Sequence, residues 1–515
     1  MEIEFKFNIP PDRLPALQAA VCKGRHARVR MEARYFDTPD GALAARGIAL
    51  RLRREGAQWV QTVKALGQGP LDREEHNVDR GPAAPSQPAP DPLPELHAGS
   101  VAGARLHQAL REANGPLAET YGTEMDRVVR KLRMPGGMAE LALDTGQVVA
   151  RRGTAQQAQA RICELELELL SGPVEGLAAL AVQWAARHGL SLSTVSKAER
   201  GERLLAAQAE APPATKAAPW QRAAPHHRPW LHGPALLRAV VAQCLHQILG
   251  NASELAEDRG GEEHQHQLRI GIRRLRTALR HLAPLAPDRL DPAWAPALVD
   301  AFQRLGQLRD QSQALQSMAA QLQAAGAPAL DLPASAAPPC TQANAADIVR
   351  TPAFQAALIG LIALTAQAEG TQAADDAGAP DAKATRRALQ KGLRRLHAQV
   401  SRDARGFAAL PTEQQHRLRK RLKRLRYLAE FVAPAMDGQA EAFLASLQPA
   451  LAALGRLNDE RVAQAVYADL AATQPAAWFA VGWLAARQNA TAAACEVALG
   501  QIAELPKLRK AHKPR

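Results

Sequence analysis

The chain has 515 residues, with 64 Lys and Arg against 51 Asp and Glu and a formal net charge of +13. That length exceeds one ordinary hydrophobic core and predicts two or three domains. Five scattered cysteines without a CxxC pair argue against a disulfide framework or a structural zinc site, and the longest apolar run, AAWFAVGWLAA, is too short to span a bilayer.

The chain opens MEIEFKF, where Glu2, Glu4 and Lys6 alternate with Ile3, Phe5 and Phe7. In a strand this puts three charges on one face and the apolar residues on the other. GIALRLRR continues the pattern with Arg51 and Arg53, WVQTVKA with Lys64, and DREEHNV with Arg73, Glu75 and Asn77. AELALD sets Glu140, Ala142 and Asp144 in phase, and CELELELL sets Glu164, Glu166 and Glu168 against leucines. Helices are expected near 11–22, 100–113 and 174–188. Residues 1–205 therefore read as an α+β domain with a largely antiparallel sheet.

Charged faces on so many strands cannot form a dry core, because each unpaired ion would cost several kcal/mol. They either lace a surface sheet with ion pairs or enclose a wet cavity. In a cavity, the glutamates supply hard oxygen ligands suited to Mg²⁺ or Mn²⁺, and the arginines and lysines suit phosphate oxygens. Both signs together suit a metal–polyphosphate complex.

The segment 206–229 is rich in Ala and Pro and reads as a linker. From 230 to 515 strand signals vanish and Ala/Leu-rich helices follow, interrupted by loop composition near 326–346 and 370–381. The charge is uneven: residues 1–205 carry 27 basic and 25 acidic side chains, the remainder 37 and 26, so about +11 lies in the second part. Its expected partner is a polyanion.

That part contains a repeat. HQLRIGIRRLR (266–276) returns as HRLRKRLKRLR (416–426), and LGQLRD (305–310) returns as LGRLND (454–459). Two related helical units, about 230–325 and 383–475, follow from this order. On a helix, His266, Arg269, Arg273 and Arg276 share an arc of about 80°, and Leu268, Ile272, Leu275 and Leu279 lie on the other side. His416, Arg419, Lys423 and Arg426 repeat the arc over Leu418, Leu422 and Leu425. Like charges at this spacing repel by a few tenths of a kcal/mol per pair, so keeping the arc twice points to a bound anion. A flexible phosphate chain suits it better than duplex DNA, since the stripe lacks stacking aromatics and no nucleic-acid fold is evident.

The second half resembles the CHAD family in the H-x-x-R-x-x-x-R-R-L-R pattern, with Lys423 replacing an arginine in the second copy. The resemblance implies an all-helical bundle that binds inorganic polyphosphate through the histidines and basic residues just named. The first half resembles the CYTH family of triphosphate tunnel metalloenzymes in its opening E-x-E-x-K, YFDTPDGALAARGIALRLRR (35–54), TVKA, DREEHNV, the late E-x-E strand and SKAERG (196–201). That resemblance implies an eight-stranded antiparallel β tunnel with flanking helices, and hydrolysis of a triphosphate with divalent metal. It would make Glu2, Glu4, Glu164 and Glu166 metal ligands, with Glu75 supporting them and Glu168 one step further along. Lys6, Arg51, Arg53, Lys64, Arg73, Arg127 and Lys197 would bind phosphates, and Glu2, Glu4, Lys6 and Glu75 would be the catalytic set. Val129 stands where the strand phase would lead one to expect a basic residue.

Together the two resemblances imply an inorganic triphosphatase that cleaves tripolyphosphate to pyrophosphate and phosphate. The alternatives are a tunnel enzyme for nucleoside or thiamine triphosphate, adenylate cyclase included, and a polyphosphate-binding scaffold with an idle tunnel. The expected location is cytoplasmic, with polyphosphate granules as a place that the helical half would suit.

Overall fold

A computed structural model describes residues 3–66, 73–83, 89–206, 212–218, 231–287, 289–330, 344–366, 380–436 and 438–508, apart from the side chains of Leu66, Arg73, 307–314, 316 and 317. Most of the Ala/Pro-rich stretch and of the two interruptions, and Glu2, lie outside these residues.

Nine strands form one sheet: β1 (Glu4–Asn8), β2 (Ala27–Asp37), β3 (Ile48–Glu55), β4 (Gln58–Leu66), β5 (Arg73–Pro82), β6 (Ala118–Met134), β7 (Gly137–Ala150), β8 (Ala158–Ser171) and β9 (Ser191–Leu192). Their order is β5-β4-β3-β2-β6-β7-β8-β1-β9, and every neighbouring pair is antiparallel. The expected eight strands gain a ninth, two residues long. It pairs Leu192 with Phe7 and Ser191 with Asn8, which covers the free edge of β1.

Alternation positions the faces. On β3, Ile48, Leu50 and Leu52 are buried on the outside. Ala49, Arg51 and Arg53 line an interior cavity. Each strand from β1 to β8 contributes a side chain to that same cavity, so the sheet is rolled around it. The outer apolar face is covered by helices. α1 (Leu14–Val21), α2 (Val101–Glu112) and α3 (Val174–His188) fall on the three predicted helical segments. Ala102, Leu106 and Ala109 of α2 pack on Leu50, Val63 and Ala65. A fourth helix, α4 (Lys197–Leu205), begins at Ser196, whose side chain accepts from the Glu199 amide. Lys197, Ala198, Glu199 and Glu202 of α4 also line the cavity.

The chain divides into two compact units. The first holds Met1–Thr215 together with Ile248–His264 and Val349–Glu369; the second holds Lys216–Gln247, Gln265–Ile348 and Gly370–Arg515. The later helices are α5 (Gly233–Ala256), α6 (Glu262–Leu282), α7 (Trp294–Ala324), α8 (Ala345–Val349), α9 (Pro352–Thr365), α10 (Ala382–Ala404), α11 (Thr412–Phe431), α12 (Ala440–Ser446), α13 (Gln448–Leu470) and α14 (Trp478–Gly500). In the second unit Leu268, Ile272 and Leu275 of α6 and Leu418, Leu422 and Leu425 of α11 are fully buried, while Leu279 is half-buried. Leu315, Met318 and Leu322 of α7 join Ala463, Val466 and Tyr467 of α13 and Leu484 of α14 in one apolar cluster. Among the described residues no helix is long and apolar enough to cross a membrane.

Phe5 and Phe7 are fully buried under the first strand. Phe5→Ala is expected to cost about 3–5 kcal/mol, the usual loss for emptying a packed phenyl site, read as a lower denaturant midpoint for the first unit.

Candidate functional site: a charged cavity inside the rolled sheet

The cavity has a volume of about 710 Å³. Lys6, Arg51, Arg53, Lys64, Arg127 and Lys197 line it, as do Glu4, Glu55, Glu75, Glu140, Glu164, Glu166, Glu168, Glu199 and Glu202. The structure brings Glu4, Lys6, Arg51, Arg53, Lys64, Glu75, Arg127, Glu164, Glu166 and Lys197 to one place. The backbone of Arg73 lies at the start of β5 opposite Leu66; its side chain and all of Glu2 are outside the described residues.

The two signs are unevenly distributed over the strands, with Glu55 on β3 and Lys6 on β1 as the exceptions. On β3 and β4 the cavity face carries Arg51, Arg53 and Lys64. Lys64 pairs with Glu75 on β5, and Asn77 donates to the same carboxylate at 3.0 Å. Burial would raise the Glu75 carboxyl, but Lys64, Arg51 and Asn77 outweigh it and bring it to about 2. Burial and the neighbouring Arg51 depress Arg53 to about 10, although Glu55 pairs with it. Arg51 shows the reverse balance: Tyr35 and Glu75 more than offset its burial.

On β1, β8 and β7 the register makes rows of acids. Glu4 pairs with Glu168 and Lys6 with Glu166. Across the next ladder Glu168 pairs with Glu140 and Glu164 with Asp144. Asp144, Glu164 and Glu166 offer carboxylate oxygens within 4.8 Å of one another. Lys197 reaches down from α4 into this triad, 2.7 Å from Asp144 and 2.9 Å from Glu166, and also pairs with Glu164. Arg127 grips Asp144 through Nε and Nη2 at 2.7 and 2.6 Å, and Glu166 at 2.5 Å. Burial opposes ionisation of Glu166, yet Lys197 and Arg127 hold it well below the usual carboxylate range. The same carboxylates hold Lys197 well above the usual lysine range against its own burial. Lys6 donates to the Val195 carbonyl at 2.5 Å.

Asp144 is the residue that strand phase underused. It is fully buried at the base of the triad, in phase with Glu140, but only the β7–β8 register shows that it faces Glu164. Val129 does line the cavity and leaves that position apolar.

The triad fits a hard divalent cation. Its donors are all carboxylate oxygens, and Oε2 of Glu164 is buried with no hydrogen-bond partner. Glu202 adds a titrating charge. Burial, then Glu199 and Asp37, raise it to about 7, partly opposed by Arg203.

In the second unit the two basic stripes converge. Burial depresses Lys423 to about 6, together with Arg273 and Arg269 from α6 and Arg419 from α11; Asp459 on α13 opposes them. Phe302 of α7 lies beneath the guanidinium groups of Arg269, Arg273 and Arg276, whose central carbons are 5.1, 5.1 and 5.5 Å from its ring centre. Arg426 lies beside its neighbour Tyr427. His416 is pushed down by burial and by Lys420, Arg419 and Lys423. Arg274, buried beneath the stripe, ties α6 to Glu430 of α11 at 3.2 Å.

Removing Lys197 reverses a pH dependence. Glu166, depressed in the folded chain, contributes stability above its unfolded pKa that is lost as pH falls through the folded value. In Lys197→Met the Glu166 carboxylate loses the cation that most lowers it, its pKa rises, and its protonation becomes stabilising. Thermal melts should therefore rise for the variant as pH falls from 8 to 5, whereas the wild type gains nothing. Parallel profiles would contradict this account of the triad.

Among curated proteins, an inorganic triphosphatase of Haemophilus influenzae is 28% identical over 207 residues, covering 39% of this chain and 54% of that protein. The chain thus spans about half the length of the curated relative it matches. Among solved structures, the CHAD domain from the plant Ricinus communis is 24% identical with a TM-score of 0.43, covering 57% of this chain and 99% of that one. A putative adenylyl cyclase from Hippeastrum, described as having a dominant triphosphatase activity, is 20% identical with a TM-score of 0.30, covering 40% and 97%. The CYTH domain model matches residues 1–201, and the CHAD domain model matches residues 239–468. The chain carries a CYTH domain followed by a CHAD domain.

Proposed function

We propose that the chain is a metal-dependent inorganic triphosphatase that hydrolyses tripolyphosphate to pyrophosphate and phosphate, with a helical half that binds inorganic polyphosphate. The observation that carries the reading is the uneven distribution of charge: Arg51, Arg53 and Lys64 predominate on β3 and β4, with Glu55 at the strand end, and carboxylates predominate on β1, β7 and β8, with Lys6 among them. Among the described residues nine carboxylates and six cations line the cavity, with Asp144 adding a tenth acid beneath. A bare polyanion would meet net repulsion there. An anion accompanied by Mg²⁺ or Mn²⁺ would not.

Asp144, Glu164 and Glu166 would hold the cation, with Glu4 on the adjoining strand. When bound, it would supply neutralisation of the phosphate oxygens and a more acidic water as nucleophile. Arg51, Arg53 and Lys64 would bind the phosphate chain, and Glu75 would keep Lys64 in place. Lys197 and Arg127 hold Glu166 well below the usual carboxylate range against its burial, and both would stabilise charge on the leaving pyrophosphate. The similarity to an inorganic triphosphatase supports this choice over a nucleoside or thiamine triphosphate.

In the helical half, the convergent stripes with Phe302 beneath them would bind a run of phosphates. Burial first, and then the neighbouring cations, depress Lys423, Arg276 and Arg424, and a bound anion would offset both.

Two measurements follow. Glu164→Gln and Glu166→Gln should each lower Mg²⁺-dependent phosphate release from tripolyphosphate by roughly 10² or more with the fold retained; faster release from ATP or thiamine triphosphate than from tripolyphosphate would favour those substrates. Polyphosphate binding should take up a proton above pH 6, because the anion recharges Lys423, and affinity should fall as pH rises. Calorimetry in buffers of different ionisation enthalpy reads this uptake, and Lys423→Met should abolish it.

A further inference from the structure

Lys197 can enter the carboxylate triad only if α4 is held against the cavity, and its rotation there has to be fixed by more than its short apolar face. It is nine residues long, Lys197–Leu205, too short to be stable alone in water. On the cavity side Gly201, one turn after Lys197, lies flat on Tyr121: a Cβ there would come within 2.2 Å of the ring. Tyr121 is in turn stacked on Tyr35, with ring centres 4.8 Å apart. This seat sets how closely α4 approaches, Ala198, Leu204 and Leu205 pack on the same apolar cluster, and Arg151 donates to the Leu205 carbonyl at 2.6 Å.

The polar anchoring of its other face comes from outside the CYTH match. About a quarter-turn round from Lys197, Arg200 and Arg203 each form a two-pronged ion pair with residues of the 248–264 segment of the first unit. Arg203 donates to both oxygens of Glu254 at 2.7 and 3.3 Å, and Arg200 to both oxygens of Glu257 at 2.8 and 3.3 Å. All four side chains are largely buried. Just before α4, the Thr194 amide donates to the Ser253 hydroxyl at 3.0 Å. The 349–369 segment does the same for the first strand's neighbour, since Gln355 accepts from the Leu192 amide of β9 at 2.8 Å. Arg350 donates to the Ala256 carbonyl and pairs with Asp258 at 2.6 Å, which locks the end of α5.

We infer that Glu254 and Glu257, which lie within the CHAD match in sequence, are positioning residues of the triphosphate cavity: through Arg203 and Arg200 they hold α4 so that Lys197 stands among Asp144, Glu164 and Glu166. This rests on the triphosphatase reading for its kinetic consequence, though not for its structural one. A paired guanidinium and carboxylate is directional, so two such pairs fix both the height and the rotation of a short helix.

The test uses the full chain as wild type, as Glu254→Gln with Glu257→Gln, as Lys197→Met, and as the combined variant. Amide hydrogen exchange should rise about tenfold or more over α4 in the paired Gln variant and stay unchanged in β6 to β8. Mg²⁺-dependent release of phosphate from tripolyphosphate should fall about tenfold or more in kcat/KM for the Gln pair, yet show no further loss when the pair is added to Lys197→Met. Unchanged exchange over α4, or an equal loss in both backgrounds, overturns the positioning role. If the Gln pair unfolds the chain, Arg203→Glu with Glu254→Arg takes its place. Low exchange over α4 in that charge-reversed protein supports the inference, and high exchange overturns it. Absence of hydrolysis by the wild type would overturn the triphosphatase reading instead, and the exchange comparison would still decide this one.

Discussion

Three carboxylates crowded within 4.8 Å of one another cannot all remain ionised inside a protein wall without positive charge among them. Much of the first unit can be understood as the supply of that charge. Arg127 provides it from the strand next door and Lys197 from a helix folded back over the sheet. The glycine seat on Tyr121 and the ion pairs from residues 248–264 are what bring the helix near enough. The triad is thus a place of stored electrostatic tension, quiet while its two cations are in position and receptive to a stronger one.

The alternation of charged and apolar residues was enough to read the cavity face of β1, β3, β4, β5 and β8. Period two is a local property, and it survives whatever the strands later pair with. The three covering helices were legible for the same reason, through their own periodicity. Register was not legible. Glu140, Ala142 and Asp144 had a phase but no partner until β7 was set beside β8, which is why Asp144 stood out only in three dimensions. β9 was too short to leave a pattern. The reach of residues 248–264 and 349–369 into the first unit was equally hidden, since their sequence is helical like that of their neighbours and their destination depends on tertiary packing.

The helical half shows the opposite balance. Its basic stripes were legible from a repeat, because two copies of one helix preserve one arc. What the repeat could not show was that both arcs meet around Lys423, or that Phe302 from another helix lies beneath three arginines. An aromatic face holds guanidinium groups side by side at a spacing their own repulsion would otherwise oppose. The groove is therefore arranged before any anion arrives, and binding need not collect scattered side chains.

The excess of carboxylates over cations in the cavity also has a bearing on what is kept out. Free phosphate and sulfate are small anions that would compete for a basic site. A purely basic tunnel would fill with those small anions and spend its time releasing them. A wall that is negative on balance turns them away, because they bring no cation with them, and admits an anion only in the company of its metal. On this view the acids act as a filter as well as ligands: they make the entry requirement the complex itself, so that recognition of the right ion pair comes before any contact with the reacting phosphorus.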